Sequence, residues 1–322
     1  MNIHPLEIYQ AKKRISPYVT HTPLVRAHAL SDLCESEILC KLETLQPTGS
    51  FKLRGATNAI LRLNEDQRKC GVVAVSTGNH GRGVAYAARE QGVRAVICLS
   101  SLVPENKVEA IKSLGADVRI VGNSQDEAEI EANRLTEGEG LIPISPFDHP
   151  DVISGQGTIG LELLEEFPEL NCVVVPLSGG GLIGGIALAL KAASPKIHVV
   201  GVTMENGPAM VLSLEAGKPV EVKEEESLAD SLGGGIGLEN HYTLSLVQEL
   251  VDETLLVSED EIGKAIRYVY ETQRMVLEGG AAVGTAALLA KKLDVNGQNV
   301  ALIYSGNNIA EKTLKKVLDH RQ

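Results

Sequence analysis

Short runs of β-branched and aliphatic residues recur along this chain, separated by amphipathic, alanine-rich stretches of helical period. The runs are Val72–Ser76, Ala95–Leu99, Asp117–Val121, Cys172–Pro176, His198–Val202, Glu253–Val257 and Val300–Tyr304. They are largely continuous in apolar character instead of alternating, as expected of strands covered on both faces. Such an alternation has few solutions: the strands pair in parallel, and right-handed crossovers lay helices on both sides of the sheet. The sequence therefore predicts an α/β fold made of two doubly wound lobes.

Local signals support the helices. Leu53, Ala56, Ile60 and Leu63 share one face of an early helix, with Ser50 as its expected N-cap. Glu105–Leu114 stops at Gly115, a residue suited to the left-handed conformation that closes a helix. Ser258 and Glu261 form a capping box for a helix running to about Met275. The stretch Glu137–Pro150 holds three prolines and two glycines and reads as a crossover between lobes. The expected division is a large domain of residues 1–64 and 149–322 and a small domain of residues 65–148. A cleft between two such lobes is a common place for a small-molecule site.

Composition excludes several partners. The net charge of −12, without a basic stripe, argues against nucleic acid. No apolar run approaches the roughly 20 residues needed to cross a bilayer, and Met1–Pro5 lacks a basic-then-apolar leader pattern. The five cysteines are odd in number and scattered, which suits reduced thiols in a cytoplasmic protein better than a disulfide or zinc framework.

Four segments could carry chemistry. In Pro47–Gly55, Lys52 falls in the first helical turn, where the helix dipole already disfavours a cation. A lysine whose charge is suppressed is a good nucleophile, although an exposed lysine beside a turn would look the same. Val75–Gly83 follows a strand and opens a helix, and its hydroxyls and N–H groups suit an anion or a polar ring. His80 there is either a base or a cap. The third segment, Pro176–Gly185, is a glycine-rich turn between strand and helix that could cradle a phosphate. Its Gly179, Gly181 and Gly184 also satisfy a dinucleotide-binding fingerprint, with Glu205 following the next strand, so a nicotinamide enzyme remains open on that loop alone. A serine nucleophile elbow at Ser178 fails because Pro176 occupies the place of its first glycine. The fourth, Tyr304–Asn308, places Ser305 at the end of the last strand.

In this order the segments Ser50-Phe51-Lys52-Leu53-Arg54-Gly55, Ser76-Thr77-Gly78-Asn79-His80, Ser178–Gly181 and Ser305-Gly306-Asn307-Asn308 resemble the fold-type II pyridoxal-phosphate enzymes. The nearest likeness is to their serine/threonine dehydratase and serine racemase group. It extends to His21-Thr22-Pro23-Leu24 and Gly155-Gln156-Gly157-Thr158. The resemblance implies a tryptophan synthase β-like fold with pyridoxal 5'-phosphate in the cleft between the lobes. It implies that Lys52 carries the cofactor, that Phe51 packs beside the ring and that Asn79 bonds the ring hydroxyl. It further implies that Ser178, Gly179, Gly180, Gly181 and Leu182 hold the phosphate and that Ser305 faces the ring nitrogen. Ser76, Thr77, Asn79 and His80 would bind the substrate carboxylate, with Lys52 and Thr77 as the catalytic positions.

The implied reaction is α,β-elimination of water from a β-hydroxy α-amino acid. Lys52, displaced by the substrate amine, takes the Cα proton, the β-hydroxyl leaves as water, and hydrolysis then gives a 2-oxo acid and ammonium. Threonine and serine are the default substrates. The Ser76–Arg82 and Glu278–Ala281 segments also resemble hydroxyectoine-utilization dehydratases, which would act on a hydroxy-diaminobutyrate. Racemisation on the same scaffold is the alternative, weakened because Thr77 stands where serine racemases carry serine. A homodimer is a family expectation.

Aligned through Gly201–Ser213, the divalent-metal ligands of racemases fall on Thr203, Gly207 and Ala209, of which glycine and alanine have no ligand atom. No metal site of that kind is expected. Treatment with a chelator should therefore leave the initial rate of 2-oxo acid release unchanged, and a strong loss would overturn this reading.

Overall fold

The computed structural model describes residues 3–319 apart from 77, 102 and 104. Among the described residues, ten strands form two sheets. They are β1 (Leu24–Arg26), β2 (Glu37–Leu42), β3 (Val72–Val75), β4 (Ala95–Leu99), β5 (Asp117–Ile120), β6 (Ile142–Pro143), β7 (Cys172–Pro176), β8 (His198–Met204), β9 (Glu253–Val257) and β10 (Asn299–Tyr304). The larger sheet has the order β1-β2-β10-β7-β8-β9, and the smaller β5-β4-β3-β6. Every pairing is parallel except β1 with β2.

All seven apolar runs are strands, and the inner strands of both sheets are covered on both faces as their continuous hydrophobicity predicts, while the edge strand β5 is largely exposed. In β7, Cys172 and Val174 face the helices Glu259–Gln273 and Gly279–Leu289, while Val173 and Val175 face Pro150–Glu166 and Gly181–Ala193. The smaller sheet repeats the pattern. Val72, Ala74, Ile97 and Leu99 pack with Val84, Ala85 and Ala88, and Val73, Val96 and Cys98 pack on Ala128, Ala132 and Leu135. Each such buried aliphatic side chain contributes roughly 1.5–3 kcal/mol. No helix among the described residues is long and apolar enough to cross a membrane.

Three strands have no counterpart among the apolar runs: β1, β2 and β6. The reason is plainest in β2, where Lys41 interrupts the pattern yet is fully buried. Its ammonium meets Glu162 at 2.8 Å and Glu166 at 2.7 Å, both from the helix Pro150–Glu166. A distant helix neutralises the charge, so local hydrophobicity cannot reveal the strand. The segment Glu137–Pro150 is only partly a crossover, since the helix Gln125–Glu139 runs to Gly140 and β6 adds an edge strand on β3.

The helix Lys52–Leu61 is shared between the two sheets. Leu53, Ala56, Ala59 and Ile60 belong to the core of the smaller sheet. Arg54 points the other way and is fully buried between two carboxylates. Its guanidinium donates to Glu43 at 2.8 Å through both Nε and Nη2, and to Glu162 at 2.6 and 2.9 Å. Behind it the helix Pro150–Glu166 comes so close that a Cβ on Gly155 would lie 2.7 Å from the Arg54 carbonyl oxygen. Ser50 does not cap the helix, correcting the sequence expectation. Phe51 takes the N-cap place without a side-chain bond, and the Ser50 hydroxyl is buried with no protein partner.

Removing Arg54 would leave Glu43 and part of Glu162 as uncompensated buried carboxylates, which costs about 3–5 kcal/mol. Arg54→Ala should lower stability by that amount in urea titration of the purified protein. A loss below about 1 kcal/mol would mean the cluster contributes little.

Candidate functional site

A cleft of about 240 Å³ opens between the two sheets, and the four sequence segments meet in it. Backbone pairing stitches two of them together. Phe51 N donates to the Ser305 carbonyl at 3.0 Å, Asn307 N donates to the Gly49 carbonyl at 3.0 Å, and Ser50 forms an antiparallel bridge with Gly306. This bridge sets the start of the Lys52 helix against the end of β10, so Lys52 and Ser305 line one cavity.

Lys52 Nζ donates to the Pro146 carbonyl at 2.7 Å and lies 5.2 Å from the centroid of the Phe51 ring. Desolvation by the cleft walls lowers its pKa to about 8, a drop that the nearby Glu278 carboxylate opposes. The amine thus has a usable neutral fraction near physiological pH. The loop that receives it is held by Asp148, which accepts the N–H groups of His241, Tyr242 and Thr243 at 2.6–2.9 Å at the start of the helix Thr243–Leu250.

The glycine-rich segment follows β7 and ends in the helix Gly181–Ala193. Gly180 is its N-cap with φ +84°, a left-handed conformation that costs glycine nothing. No acidic residue lies in the first turn, so the open N–H groups and the helix dipole face the cleft unopposed. Phe147 packs directly on the turn: a Cβ on Gly179 would lie 2.3 Å from its ring. The glycines that let Phe147 pack on the turn also leave the N–H groups of the helix start uncovered by side chains.

Asn79 opens the helix Asn79–Glu90 and is buried, as is Ser305. Ser76 is half-buried on the cleft wall, and its hydroxyl accepts the Gly78 N–H at 3.3 Å. Thr77, named from sequence as catalytic and substrate-binding, lies outside the described residues. His80 is buried, with Nε2 2.8 Å from the Ile144 carbonyl. Since a carbonyl only accepts, Nε2 carries the proton and Nδ1, which has no protein partner, is left an acceptor. That tautomer offers a carboxylate no proton, so the ring supports the loop from behind. Desolvation, reinforced by Lys52, lowers its pKa to about 3.

Sequence reasoning gave no role to Glu278, Arg82, Asn308 or Phe147, all of which line the cleft. Glu278 had a signal: it is the one acid in the apolar run Met275–Leu289. It is buried, and desolvation, with Asp230 adding to it, raises its pKa to about 7. Glu205, the acid that would complete a dinucleotide site, instead lies 3.5 Å from Lys292. His21, Glu162 and Glu166 bring ligand atoms within 4.8 Å of one another, but Lys41 and Arg54 already occupy those carboxylates.

The family described as pyridoxal-phosphate dependent enzyme matches residues 15–306. A Sinorhizobium fredii protein bearing the name of a threonine dehydratase is 53% identical over 308 residues, covering 96% of this chain and 93% of that protein. The L-threonine ammonia-lyase of Thermotoga maritima is 42% identical over 97% of this chain and 77% of its own. Maize serine racemase superposes with a TM-score of 0.92 at 34% identity, covering 98% of this chain and 97% of that one.

The buried histidine makes a pH prediction. Its folded pKa lies below its unfolded value of 6.5, so the unfolded chain binds more protons between about pH 3 and 6.5. His80 therefore contributes a loss of stability as pH falls below about 6.5. Glu278 acts in the opposite sense between the ordinary carboxylate value of 4.5 and about 7. His80→Gln keeps a donor for Ile144 but cannot titrate. Its melting temperature should fall less steeply than the wild type's on acidification, and parallel curves would refute the neutral assignment.

Proposed function

The chain belongs to the family of pyridoxal-phosphate dependent enzymes, and from that premise we propose that it is an ammonia-lyase for β-hydroxy α-amino acids, L-threonine and L-serine foremost. The observation that carries the proposal is the half-buried, desolvated Lys52 amine, which lines one cleft with the glycine cradle. The cradle and the amine fit the cofactor's two ends: an open helix start for a phosphate, and a desolvated lysine for an aldehyde carbon. Bound pyridoxal phosphate supplies an electron sink that acidifies the Cα–H bond of an amine-linked substrate.

The protein's own residues do the rest. In this reading Ser178, Gly179, Gly180, Gly181 and Leu182 hold the phosphate, Phe51 and Phe147 exclude water, and Asn79 meets the ring hydroxyl. Ser305 faces the ring nitrogen with a hydroxyl instead of a carboxylate. Opposite that hydroxyl the ring nitrogen would stay largely uncharged, and the cofactor would then favour loss of the β-hydroxyl over return of a proton to Cα. Lys52 takes the Cα proton, and Pro146 orients its amine. Ser76, Thr77 and the backbone N–H groups of Asn79 and His80, at the open start of the helix Asn79–Glu90, receive the substrate carboxylate, and the His80 ring supports the loop. Residues 65–148 act as a small domain against 1–64 and 149–322, and a cytoplasmic homodimer completes the reading.

The cleft mouth favours one second substrate. Glu224 and Asp230, both exposed, line it. Carboxylates there repel a substrate with a second carboxylate, such as hydroxyaspartate, and tolerate a second ammonium, such as a hydroxy-diaminobutyrate. Release of 2-oxo acid and ammonium in equal amounts from threonine, serine and these two compounds ranks the alternatives, and turnover of hydroxyaspartate above the others would refute the argument.

Lys52→Ala should lower turnover about a thousandfold or more, since it removes both the cofactor link and the base. Borohydride reduction of the loaded enzyme should fix the cofactor on the Lys52 peptide. Fixation on another lysine, or a variant turning over at the wild-type rate, would sink the assignment.

A further inference from the structure

Four side chains in the cleft hydrogen-bond in a series whose direction is fixed at its far end. Arg82 can only donate, and its Nη1 reaches Asn308 Oδ1 at 2.7 Å. The Thr48 carbonyl can only accept, and it takes Asn308 Nδ2 at 3.0 Å. These two neighbours decide which end of the Asn308 amide is oxygen, removing the ambiguity of an isolated amide. Asn308 Nδ2 also donates to Asn79 Oδ1 at 2.6 Å, so that atom of Asn79 is its acceptor. Asn79 Nδ2 is then its donor, and it gives one hydrogen to Glu278 Oε1 at 2.8 Å.

Glu278 is built as an acceptor. Besides Asn79, it receives the backbone N–H of Asn308 at 3.1 Å and the hydroxyl of Ser231. It stands at the N-cap of the helix Gly279–Leu289 yet makes no cap bond there. The carboxylate is turned from its own helix into the cleft and buried, a costly arrangement unless the bond to Asn79 serves a purpose.

We propose that Glu278 is a positioning residue: by holding Asn79 Nδ2, it makes Asn79 meet the cofactor's ring oxygen as an N–H donor, through the one amide hydrogen left free. A donor stabilises that oxygen as an anion, and the proton it would have carried stays on the Lys52 nitrogen. The inference rests on the reading of Asn79 as the ring-hydroxyl contact.

Glu278→Gln tests it in the cofactor-loaded enzyme. Glutamine can still accept from the Asn308 backbone, but its amide then faces Asn79 Nδ2 donor to donor. The titratable and charged groups facing Glu278, which are Asp230, Lys52 and Arg82, are unchanged in the variant. The long-wavelength absorption of the bound cofactor should weaken in favour of the short-wavelength band, with its pH midpoint displaced by about one unit or more. Turnover should fall about tenfold with KM within about threefold, the signature of a lost interaction in the chemical step. Should that variant fail to fold, Glu278→Asp withdraws the same carboxylate by one methylene, and a smaller displacement in the same direction is expected.

Asn79→Ala separates the two levels. If it shifts the spectrum and the Glu278 variants do not, the positioning role is overturned while the contact stands. If Asn79→Ala leaves both spectrum and affinity for pyridoxal phosphate unchanged, the contact itself is wrong and the inference falls with it.

Discussion

Arg54 joins the parts of this molecule that have to be held in register. The helix that carries it buries its apolar face in the core of the smaller sheet. Its guanidinium is committed to Glu43, which follows β2 in the larger sheet, and to Glu162 on the helix behind. Lys41 and Glu166 extend the same cluster. Charges this deep are costly to bury singly and tolerable only when every donor and acceptor is matched. The matching requires β2, the Lys52 helix and the helix Pro150–Glu166 to stand in one arrangement. Lys52 lies two residues before Arg54, so the cluster that satisfies Arg54 also fixes where the reactive amine emerges.

The cleft uses the opposite strategy, leaving charges incompletely compensated. Lys52, His80 and Glu278 are all driven toward their neutral forms by desolvation. A neutral lysine is a nucleophile and a base, and a neutral histidine is a rigid spacer. A carboxylate near neutrality can share hydrogen bonds without imposing a full field. The two packed cores on either side hold these groups where desolvation displaces their equilibria.

Much of this was legible in the sequence. The seven apolar runs became strands because continuous β-branched segments have nowhere to go but between layers of helix. The glycine-rich turn after β7 was recognisable because only glycine tolerates both the left-handed Gly180 and the Phe147 ring against Gly179. What escaped had a common cause. The strand β2 was hidden by Lys41, whose carboxylate partners Glu162 and Glu166 lie more than a hundred residues away. Ser50 carried the residue type of a cap but was drawn into a bridge with Gly306. The His80 ring proton is committed to the Ile144 carbonyl, a partner more than sixty residues away.

The sequence by itself determined the alternation of strand and helix, the doubly wound class, the lysine and the phosphate-type turn, because periodicity, capping and glycine conformation act over a few residues. The tertiary structure alone decided the charge states and the directions of the polar contacts. Whether Lys52 is protonated, which end of Asn79 faces Glu278 and why Lys41 can be buried all depend on desolvation and on partners brought from distant segments. Those are properties of three-dimensional proximity, and a linear pattern does not encode them.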